Sequence, residues 1–317
     1  MTTERTALVA GVAGFIGTHL AETLLKRGER VIGVDNMIRG SRENVDRLKK
    51  NPAFVFREHD IAEPLDLGKE KLQFIYNFAC PASPTDMERL RMSILRVCCF
   101  GSYHLLELAR KKRARYIFAS TSEVYGNPLE HPQKETYYGN VNITGIRAVY
   151  DEGKRYGETM LTVFHHEYGV ETRTVRIFNT YGEYMRHDDG RAIPAFITQA
   201  LRNEDMTIFG DGLQTRSIQY VSDLVRGILL LADSDVTLPV NIGNPYEITM
   251  FELAALIKRL AGSTSRIVQT QPLPEDDPLV RRPDISRAKH LLNWEPLVAP
   301  QDGLKRTIEW FRKRLFS

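Results

Sequence analysis

The sequence is poor in cysteine, lacks a long apolar run and has almost no charge imbalance. Its three cysteines, Cys80, Cys98 and Cys99, match neither a metal-binding spacing nor a disulfide framework. No apolar stretch approaches the roughly 20 residues of a membrane-spanning helix. The formal net charge is only +3, with Lys and Arg dispersed along 317 residues, which disfavours nucleic-acid binding. We therefore expect a globular protein of the reducing cytoplasm, with no metal, nucleic-acid or membrane partner.

What the sequence does contain is a regular alternation of strand-like and helix-like segments through its first half. The strand-like segments are "TALVAGV", "RVIGVD", "AFVFREHD", "LQFIYNFA", "ARYIFAST" and "ETRTVRIFNTYG". Helical patterns occur in "FIGTHLAETLLKRG", over about 87–112, and around Tyr150. This alternation predicts an α/β fold of the Rossmann type, a doubly wound parallel sheet covered on both faces.

The pattern changes near residue 180, where segments become shorter and turn residues more frequent. Two later segments, "MFELAALIKRLAG" and "GLKRTIEWFRKRLF", still have amphipathic helical periodicity. We predict a Rossmann domain over 1–180 and a smaller C-terminal α/β substrate-binding lobe over 181–317, with some later segments returning to the first domain. A crevice between them would be the default ligand site.

Three glycines form a phosphate-binding pattern between the first predicted strand and helix. Gly11, Gly14 and Gly17 lie in "AGVAGFIG", where glycines let the backbone approach a pyrophosphate at a helix N-terminus. Asp35 ends the second predicted strand, and its carboxylate suits the ribose hydroxyls of NAD better than the 2′-phosphate of NADP. Asp60, expected at the end of the third strand, would face either the adenine or solvent. The pattern predicts NAD as cofactor.

Tyr150 and Lys154 are four residues apart in "AVYDEGKRYGET". On a helix their Cβ atoms would lie about 5–6 Å apart on one face. A tyrosine works as a base near neutral pH only when its pKa falls from about 10 towards 7, a change of about 4 kcal/mol. One positive charge about 5 Å away supplies roughly 3 kcal/mol. We therefore expect Lys154, together with a cationic nicotinamide ring, to lower the pKa of Tyr150.

Two hydroxyls and a carboxylate follow the fifth predicted strand, at Thr121, Ser122 and Glu123 in "ASTSEVYG". Any one of them alone is more typical of a helix cap or a turn. However, the carboxyl ends of parallel strands face the ligand crevice, and a dinucleotide turn and a Tyr–Lys pair accompany them. We interpret the three residues as part of a catalytic set.

Together these motifs resemble the extended short-chain dehydrogenase/reductase family over essentially the whole chain. The shared elements are "AGFIG" within Gly-x-x-Gly-x-x-Gly, Asp35, "STSEVYG", Tyr-x-x-x-Lys and "RIFNTYG". Within that family, further segments resemble the decarboxylases that convert UDP-glucuronic acid to UDP-xylose. These segments are "PASP", "YDEGKRYGETM", "DDGR", "QTRSIQYVSDL", "NIGNP", "DDPLVRRPDI" and "LNWEP".

The resemblance implies a UDP-sugar substrate and a role for each matching residue. Tyr150 would remove the C4 hydroxyl proton while NAD⁺ takes the hydride, and the resulting 4-keto uronic acid would lose CO₂. Thr121 would contact the C4 oxygen, Ser122 would orient the sugar, Glu123 would lie near C5, and Arg281 would position the carboxylate. Lys154 completes the catalytic set. The implied cofactor site is Gly11, Gly14, Phe15, Ile16, Gly17, Asp35, Asn36, Asp60, Ile61, Tyr150 and Lys154. The implied substrate site is Pro84, Glu123, Asn179, Arg191, Arg216, Tyr220 and Arg281, with surface solvation as the alternative for the three arginines.

Some positions differ from the family pattern, and two other functions stay open. Asn77, Cys98, Ser102 and Tyr184 stand where His, Asn, Thr and Arg are usual. Because these positions border the predicted pockets, the product is either UDP-xylose or a UDP-4-keto-pentose released early. A 4-epimerase or 4,6-dehydratase is the main alternative, although sister dehydratases typically carry aspartate where this chain has Ser122. A non-catalytic NAD-binding sensor or scaffold would be free to lose the Tyr–Lys pair.

Relatives in the family dimerise by pairing two helices into a four-helix bundle. The helices predicted at about 87–112 and 150–168 carry apolar residues on more than one face. The resemblance therefore implies a homodimer; the alternative is that both helices are buried within a monomer.

Overall fold

The computed structural model describes residues 5–273 and 278–316 and is built around a seven-stranded sheet. Its first part contains β1 (Thr6–Ala10), α1 (Phe15–Lys26), β2 (Arg30–Asp35), α2 (Arg42–Leu48), β3 (Phe54–Glu58), β4 (Phe74–Asn77), α3 (Pro84–Arg89), α4 (Arg91–Arg96), a π-helical turn (Val97–Gly101), α5 (Ser102–Lys112), β5 (Arg115–Thr121), a 3₁₀ turn (Ser122–Tyr125), α6 (Ala148–Tyr168) and β6 (Thr172–Ile177). The remainder contains β7 (Thr180–Tyr181), α7 (Ala192–Arg202), β8 (Met206–Phe209), β9 (Thr215–Ser217), β10 (Gln219–Tyr220), α8 (Val221–Asp233), β11 (Val240–Ile242), β12 (Glu247–Thr249), α9 (Met250–Ala261), β13 (Ile267–Gln271), α10 (Ser286–Leu292) and α11 (Pro300–Phe316).

The sheet has the strand order β3-β2-β1-β4-β5-β6-β11, and every neighbouring pair is parallel. Successive strands run outward in one direction from β1 and in the other from β4, so the order reverses between these two strands. Ligands of doubly wound sheets bind outside the carboxyl ends of the strands at this reversal. The predicted α/β Rossmann-type fold is confirmed.

Both faces of the sheet are buried, which explains why its strands read as continuous apolar runs. Along β1, Ala7 and Val9 belong to one core and Leu8 and Ala10 to the other. The first core is covered by α1 and α8, and the second by α5 and α6. The site at the carboxyl edge therefore rests on strands that are fixed from both sides.

The second half of the chain is divided between the main sheet and a set of small two-stranded sheets. Strand β11 pairs with β6 and completes the main sheet. The remaining strands pair as β7 with β10, β9 with β12, and β8 with β13. Helix α9 begins with a capping box between Thr249 and Glu252, a motif that satisfies two N-terminal N–H groups. The division near residue 180 stays a prediction.

Three sequence-based element predictions are wrong in detail. The expected helix over about 87–112 is interrupted at Leu90, whose φ and ψ are −120° and 30°, and again at the π-helical turn. The sixth strand ends at Ile177, and residues 180–181 pair separately with β10. Asp60 lies two residues beyond the end of β3. The first two residues of "DDPLVRRPDI" lie outside the described residues. Within the described ranges, no helix is long and apolar enough to cross a bilayer.

Candidate active site

The glycine turn after β1 is held by close backbone contacts. Gly11 has a φ of +79°, and a Cβ there would lie 2.6 Å from the carbonyl carbon of Phe78, so a side chain is excluded. Gly14 caps α1 without a side-chain hydrogen bond, and a Cβ on Gly17 would collide with the Gly11 carbonyl. The first turn of α1 thus presents backbone N–H groups, the arrangement that binds a pyrophosphate.

Asp35 ties this turn to the end of β2. Its carboxylate accepts hydrogen bonds from the backbone N–H of Ala13 at 3.0 Å and of Met37 at 2.9 Å. Burial raises the pKa of Asp35, and the two N–H donors oppose that rise. Each carboxylate oxygen has a second lone pair, so Asp35 can still accept from ribose hydroxyls.

A cleft opens beside the turn, at the strand-order reversal, and it brings six of the predicted cofactor residues together. These six are Gly11, Gly14, Asp35, Asn36, Asp60 and Ile61. Asn36 donates to Asp60 at 3.2 Å across the cleft. The other five predicted cofactor residues, Phe15, Ile16, Gly17, Tyr150 and Lys154, are not among the lining residues. The side chains of Phe15 and Ile16 pack against the core while their backbone belongs to the first turn of α1. Sequence reasoning missed Arg39, Cys80 and Arg96, which also line the cleft. The N–H groups of the glycine turn and the carboxylate of Asp35 are groups that would hold the pyrophosphate and a ribose of a dinucleotide.

Tyr150 and Lys154 lie on one face of α6 and are both buried. The Lys154 ammonium lies 5.8 Å from the centre of the Tyr150 ring and donates to the backbone carbonyl of Ala119 at 2.8 Å. Helix α6 comes this close to β5 because Gly157 faces the Phe118 ring, where a Cβ would collide. The Thr121 side chain lies close enough to the Tyr150 hydroxyl to lower its pKa. The predicted catalytic tyrosine, lysine and threonine are therefore in one place.

The expected lowering of the Tyr150 pKa is not seen in the protein without cofactor. Burial raises the pKa of Tyr150 well above its usual range, and the nearby Cys80 adds to the rise, while the Thr121 side chain opposes it. Loss of solvent around the buried phenol is the largest effect on this pKa, and residue spacing along the sequence does not reveal it. The protein alone keeps the phenol protonated near neutral pH.

Glu123 is surrounded by arginines. Its carboxylate is 2.5 Å from the Arg147 guanidinium and 3.4 Å from that of Arg281. Arg281 is fully buried and also donates to the backbone carbonyls of Ser122 and Gly126. Burial favours the neutral acid, but Arg281 and Arg147, with a smaller contribution from Arg216, outweigh it and hold the pKa of Glu123 at about 2. Glu123 is thus an ionised hydrogen-bond acceptor.

Two residues of this cluster were missed by sequence reasoning, namely Arg147 and Asp151. Arg147 precedes α6, and Asp151 lies one turn further along the same face. Asp151 is 5% exposed, and its Oδ1 has no hydrogen-bond partner among the described residues. Burial, together with the charge of Glu123, raises the pKa of Asp151 to about 8. The site therefore pairs an ionised carboxylate with a neutral one.

A buried polar network beneath the site fixes α6 against the sheet. Glu158 of α6 accepts from Ser120 at 2.5 Å and from Arg176 at 2.7 Å. Arg176 also donates to the Tyr125 hydroxyl at 3.0 Å, and that hydroxyl donates to Asn241 at 2.7 Å. Because Ser120 precedes Thr121, this network holds the threonine and the helix of Tyr150 in one register.

The structure brings some of the predicted substrate residues to the Glu123 cluster and places others elsewhere. Arg216 acts on Glu123 electrostatically, and Arg191 acts on Tyr150 in the same way. Pro84 begins α3 beside the loop that precedes Arg191: the next residue, Thr85, reaches the carbonyl of Asp189 at 3.4 Å.

Asn179 immediately precedes β7, and Tyr220 ends β10, which pairs with β7. The Asn179 carbonyl accepts from the Gln219 N–H at 2.9 Å. The Tyr220 hydroxyl donates to the Glu183 carboxylate at 2.7 Å, and Arg306 lies 5.5 Å above its ring. Their assignment to the substrate stays a prediction.

Asn77, Ser102 and Tyr184, three of the positions that differ from the family pattern, form contacts within this chain. Asn77 donates to the Tyr116 hydroxyl at 2.7 Å and to Ser102 at 3.4 Å, so two of the departures contact each other in the core. Tyr184 adopts a φ of +68° and donates to Glu22 at 3.0 Å, with Arg47 5.2 Å above its ring. These replacements fill space and satisfy polar groups.

Comparison with known proteins gives consistent results. A family model described as the NAD dependent epimerase/dehydratase family matches residues 7–243. UDP-glucuronic acid decarboxylase 1 of Arabidopsis thaliana is 47% identical over 310 residues, which cover 98% of this chain and 70% of that protein. UDP-glucose 4-epimerase of Thermotoga maritima, solved with UDP-glucose, aligns with a TM-score of 0.90 at 32% identity, covering 98% of this chain and 99% of that one. UDP-glucuronic acid 4-epimerase of Bacillus cereus, solved with UDP-glucuronic acid and NAD, aligns with a TM-score of 0.88 at 28% identity, covering 98% and 100%.

Proposed function

This chain belongs to the NAD dependent epimerase/dehydratase family, and we propose that it decarboxylates UDP-glucuronic acid with NAD as its cofactor. It is then a carboxy-lyase that passes through a UDP-4-keto-hexuronic acid. The observation that carries the proposal is the pairing of Glu123 with Arg147 and Arg281, beside Thr121 and Tyr150. This cluster holds more positive than negative charge, as an anionic sugar requires.

The chain's own residues provide the proton transfer at C4. The glycine turn and Asp35 would hold the pyrophosphate and a ribose of NAD. When bound, NAD accepts the C4 hydrogen as hydride and so supplies the oxidation. Tyr150 takes the C4 hydroxyl proton, and Thr121, which already contacts the phenol, orients that hydroxyl. Lys154 supplies the fixed positive charge that favours the phenolate.

Loss of CO₂ needs little more from the protein than orientation. The carboxylate of a 4-keto uronic acid lies β to the ketone, so the electrons released with CO₂ flow into the ketone as an enolate. Arg281 would orient the leaving carboxylate. Glu123 would lie near C5, where its negative charge disfavours retention of a second carboxylate, and Ser122 would orient the sugar. Arg216 and Arg191 would bind the diphosphate, since guanidinium groups match phosphate oxygens.

The function is tested by incubating the chain with UDP-glucuronic acid and catalytic NAD while following CO₂ and the sugar product. We expect stoichiometric CO₂ with catalytic NAD when the product is UDP-xylose, because return of the hydride to C4 regenerates the cofactor. Each UDP-4-keto-pentose released leaves one NADH, so that product is tested with NAD in excess, where CO₂ and NADH should form in equal amounts; fully reduced product alone would exclude early release of the ketone. The second candidate is a 4-epimerase, because the Thermotoga maritima epimerase aligns with a TM-score of 0.90. Formation of the C4 epimer without CO₂, or turnover of UDP-glucose, would favour that candidate.

The ionisation of Asp151 predicts that the KM for UDP-glucuronic acid depends on pH. The charged groups that act on it are Glu123 on the 3₁₀ turn, Arg281 on the loop before α10, and Arg147 and Glu152 at the start of α6. Below its pKa of about 8, Asp151 is neutral; above it, a second negative charge faces the substrate carboxylate. We expect the KM for UDP-glucuronic acid to rise roughly fivefold from pH 7 to pH 9, which corresponds to about 1 kcal/mol of charge repulsion.

The isosteric change Asp151→Asn tests this expectation, because it keeps the shape and cannot ionise. The variant should show a KM that is flat across this pH range, measured by initial rates of CO₂ release. The free energy of unfolding should also become less favourable to the folded state as the pH rises. A carboxyl group with a raised pKa favours the folded state at low pH, and this stability is lost as the pH rises towards 8. The wild type should therefore lose thermal stability relative to Asp151→Asn as the pH rises from about 4, the pKa of an aspartate in an unfolded chain, to about 8, and the difference should level off above pH 8; parallel pH profiles for the two proteins would contradict the assignment.

The homodimer predicted from the family resemblance is supported by exposed apolar side chains on two helical segments. On α4, the π-helical turn and α5 these are Met92, Phe100 and Tyr103, and on α6 they are Tyr156 and Val163. Residues 156 and 163 are two turns apart, so they form one stripe on α6. Pairing of these stripes between two copies would make a four-helix bundle. A cytoplasmic location likewise stays a prediction, supported by three cysteines that are all free thiols.

The dimer is tested by Val163→Glu, which puts a charge into the centre of the proposed interface. Val163 is 48% exposed in the single chain, so the change should leave the fold intact and weaken association at least 100-fold. Sedimentation velocity over a concentration series measures this. The matched control is Leu297→Glu, at a 71% exposed residue outside both helices, which should leave the dimer unchanged. An unaltered association in Val163→Glu would rule out this interface.

A further inference from the structure

Two thiols face each other at the wall of the dinucleotide cleft. The Sγ atoms of Cys80 and Cys98 are 3.7 Å apart. Cys80 is half-buried in the segment after β4 and lines the cleft, whereas Cys98 is 2% exposed in the π-helical turn. We propose that Cys80 and Cys98 are a modification site, a thiol pair that a hydroperoxide converts to a disulfide and that bound dinucleotide protects.

Cys80 is the thiol that reacts first. It is the member of the pair that reaches the cleft, and the Lys154 ammonium acts on it. The hydrogen bond with Cys98 lowers the pKa of Cys80 against the effect of burial, while the same contact and burial raise the pKa of Cys98. A thiolate with access to the cleft is the form that peroxides attack.

The chemistry balances with one hydroperoxide per pair. The Cys80 thiolate attacks a peroxide oxygen; an S–O bond forms, the O–O bond breaks, and with hydrogen peroxide one water leaves after protonation. Cys98 then attacks the sulfur of the resulting sulfenic acid; the S–S bond forms, the S–O bond breaks, and the second water leaves. Two thiols lose two electrons and two protons in total, and hydrogen peroxide becomes two molecules of water.

The bond requires the cleft wall to move. Sulfurs in a disulfide are about 2.05 Å apart, so the two atoms must approach by roughly 1.6 Å. Cys98 has little freedom, because a Cβ on Gly153 of α6 would lie only 3.0 Å from its Sγ. The movement therefore falls on the Cys80 segment, which shapes the cleft together with Phe78 and Pro81. Dinucleotide in the cleft should hold this segment in place and slow the reaction, and the disulfide should weaken dinucleotide binding.

The experiment is peroxide titration of the full chain, freed of nucleotide, with and without NAD. We expect an intact mass lower by two hydrogens, restored by dithiothreitol, and at least fivefold slower formation with saturating NAD. Cys98 and Cys99 share one tryptic peptide, so Cys99→Ser is included. It should keep the mass loss and show the Cys80–Cys98 link in a non-reducing peptide map. Cys98→Ser should lose the link and leave a sulfenic acid on Cys80 that dimedone traps.

The mass, peptide-map and dimedone measurements do not depend on enzymatic turnover, so their results test the thiol pair independently of the proposed decarboxylation. A link through Cys99, a bond between two chains, or no mass change would overturn the proposal. Equal rates of disulfide formation with and without NAD would contradict protection of the thiol pair by dinucleotide in the cleft. If Cys98→Ser fails to fold, the peptide map of Cys99→Ser still decides the connectivity. The oxidised wild type should also bind NAD at least tenfold more weakly in a fluorescence titration, and unchanged affinity would contradict the wall movement.

Discussion

Tyr150→Phe is expected to lower kcat for UDP-glucuronic acid by about 10³-fold, within the range attributed to general acid–base catalysis. The change removes one oxygen and keeps the ring that packs in the core beneath α6. Both CO₂ release and appearance of a reduced-nicotinamide absorbance should fall together, because decarboxylation requires the ketone at C4. Stopped assays over hours measure the residual rate.

The control for this variant is Tyr156→Phe on the same helix. Its ring is exposed on the opposite side from Lys154, so its activity should stay within about twofold of the wild type. NAD affinity, measured by fluorescence, should change little in Tyr150→Phe, which separates loss of the base from loss of the cofactor. A Tyr150→Phe variant with more than a tenth of the wild-type kcat would show that another group takes the proton.

The expected size of the effect follows from how the phenol is held. Burial raises the pKa of Tyr150 far enough that the protein alone keeps it protonated. The fixed charge of Lys154 is 5.8 Å from the ring centre and is not enough to reverse this. We therefore expect a cationic nicotinamide ring beside Tyr150, added to the charge of Lys154, to favour the phenolate.

The fold and the main catalytic residues could be predicted because they depend on local spacing. The glycine turn needs only a strand before it and a helix after it, and Tyr150 and Lys154 share a face through the helical period. Arg147 and Asp151 could not be found in this way. Each is a single charged residue near the start of a helix, and its role arises only when the 3₁₀ turn of Glu123 packs against it.

The interrupted helix at 84–112 shows a second limit of sequence reasoning. Apolar periodicity through this stretch favoured one continuous helix, whereas the structure has a π-helical turn at Val97–Gly101. Gly101 packs there against the Ile61 side chain, 2.9 Å from where a Cβ would lie. Such turns are frequent at functional sites in helices, and this one places Cys98 against Cys80. Contacts between distant segments, rather than the local pattern, decide the break.

Arg281→Met is expected to lower both folding stability and activity. Arg281 forms an ion pair with Glu123 and donates hydrogen bonds to two backbone carbonyls. It is fully buried, and methionine fills much of its volume without the charge. Removing one member of a buried ion pair typically destabilises a protein by 3–5 kcal/mol. Since Arg147 still pairs with Glu123 at 2.5 Å, we expect the lower end, about 3 kcal/mol. The kcat/KM for UDP-glucuronic acid should fall at least about 100-fold with the loss of the carboxylate-orienting cation.

The pH dependence of stability distinguishes this mechanism from a simple packing defect. The pKa of Glu123 is about 2 in the folded protein and about 4.3 in an unfolded chain. A lowered carboxyl pKa stabilises the folded state fully above the unfolded value, and this stability is lost as the pH falls towards 2. In Arg281→Met the pKa of Glu123 rises, so the difference in Tm from the wild type should narrow between pH 6 and pH 3. Arg282→Met is the matched control and should keep near wild-type activity. A Tm difference that is constant across this pH range would mean that Arg281 acts through packing and not through Glu123.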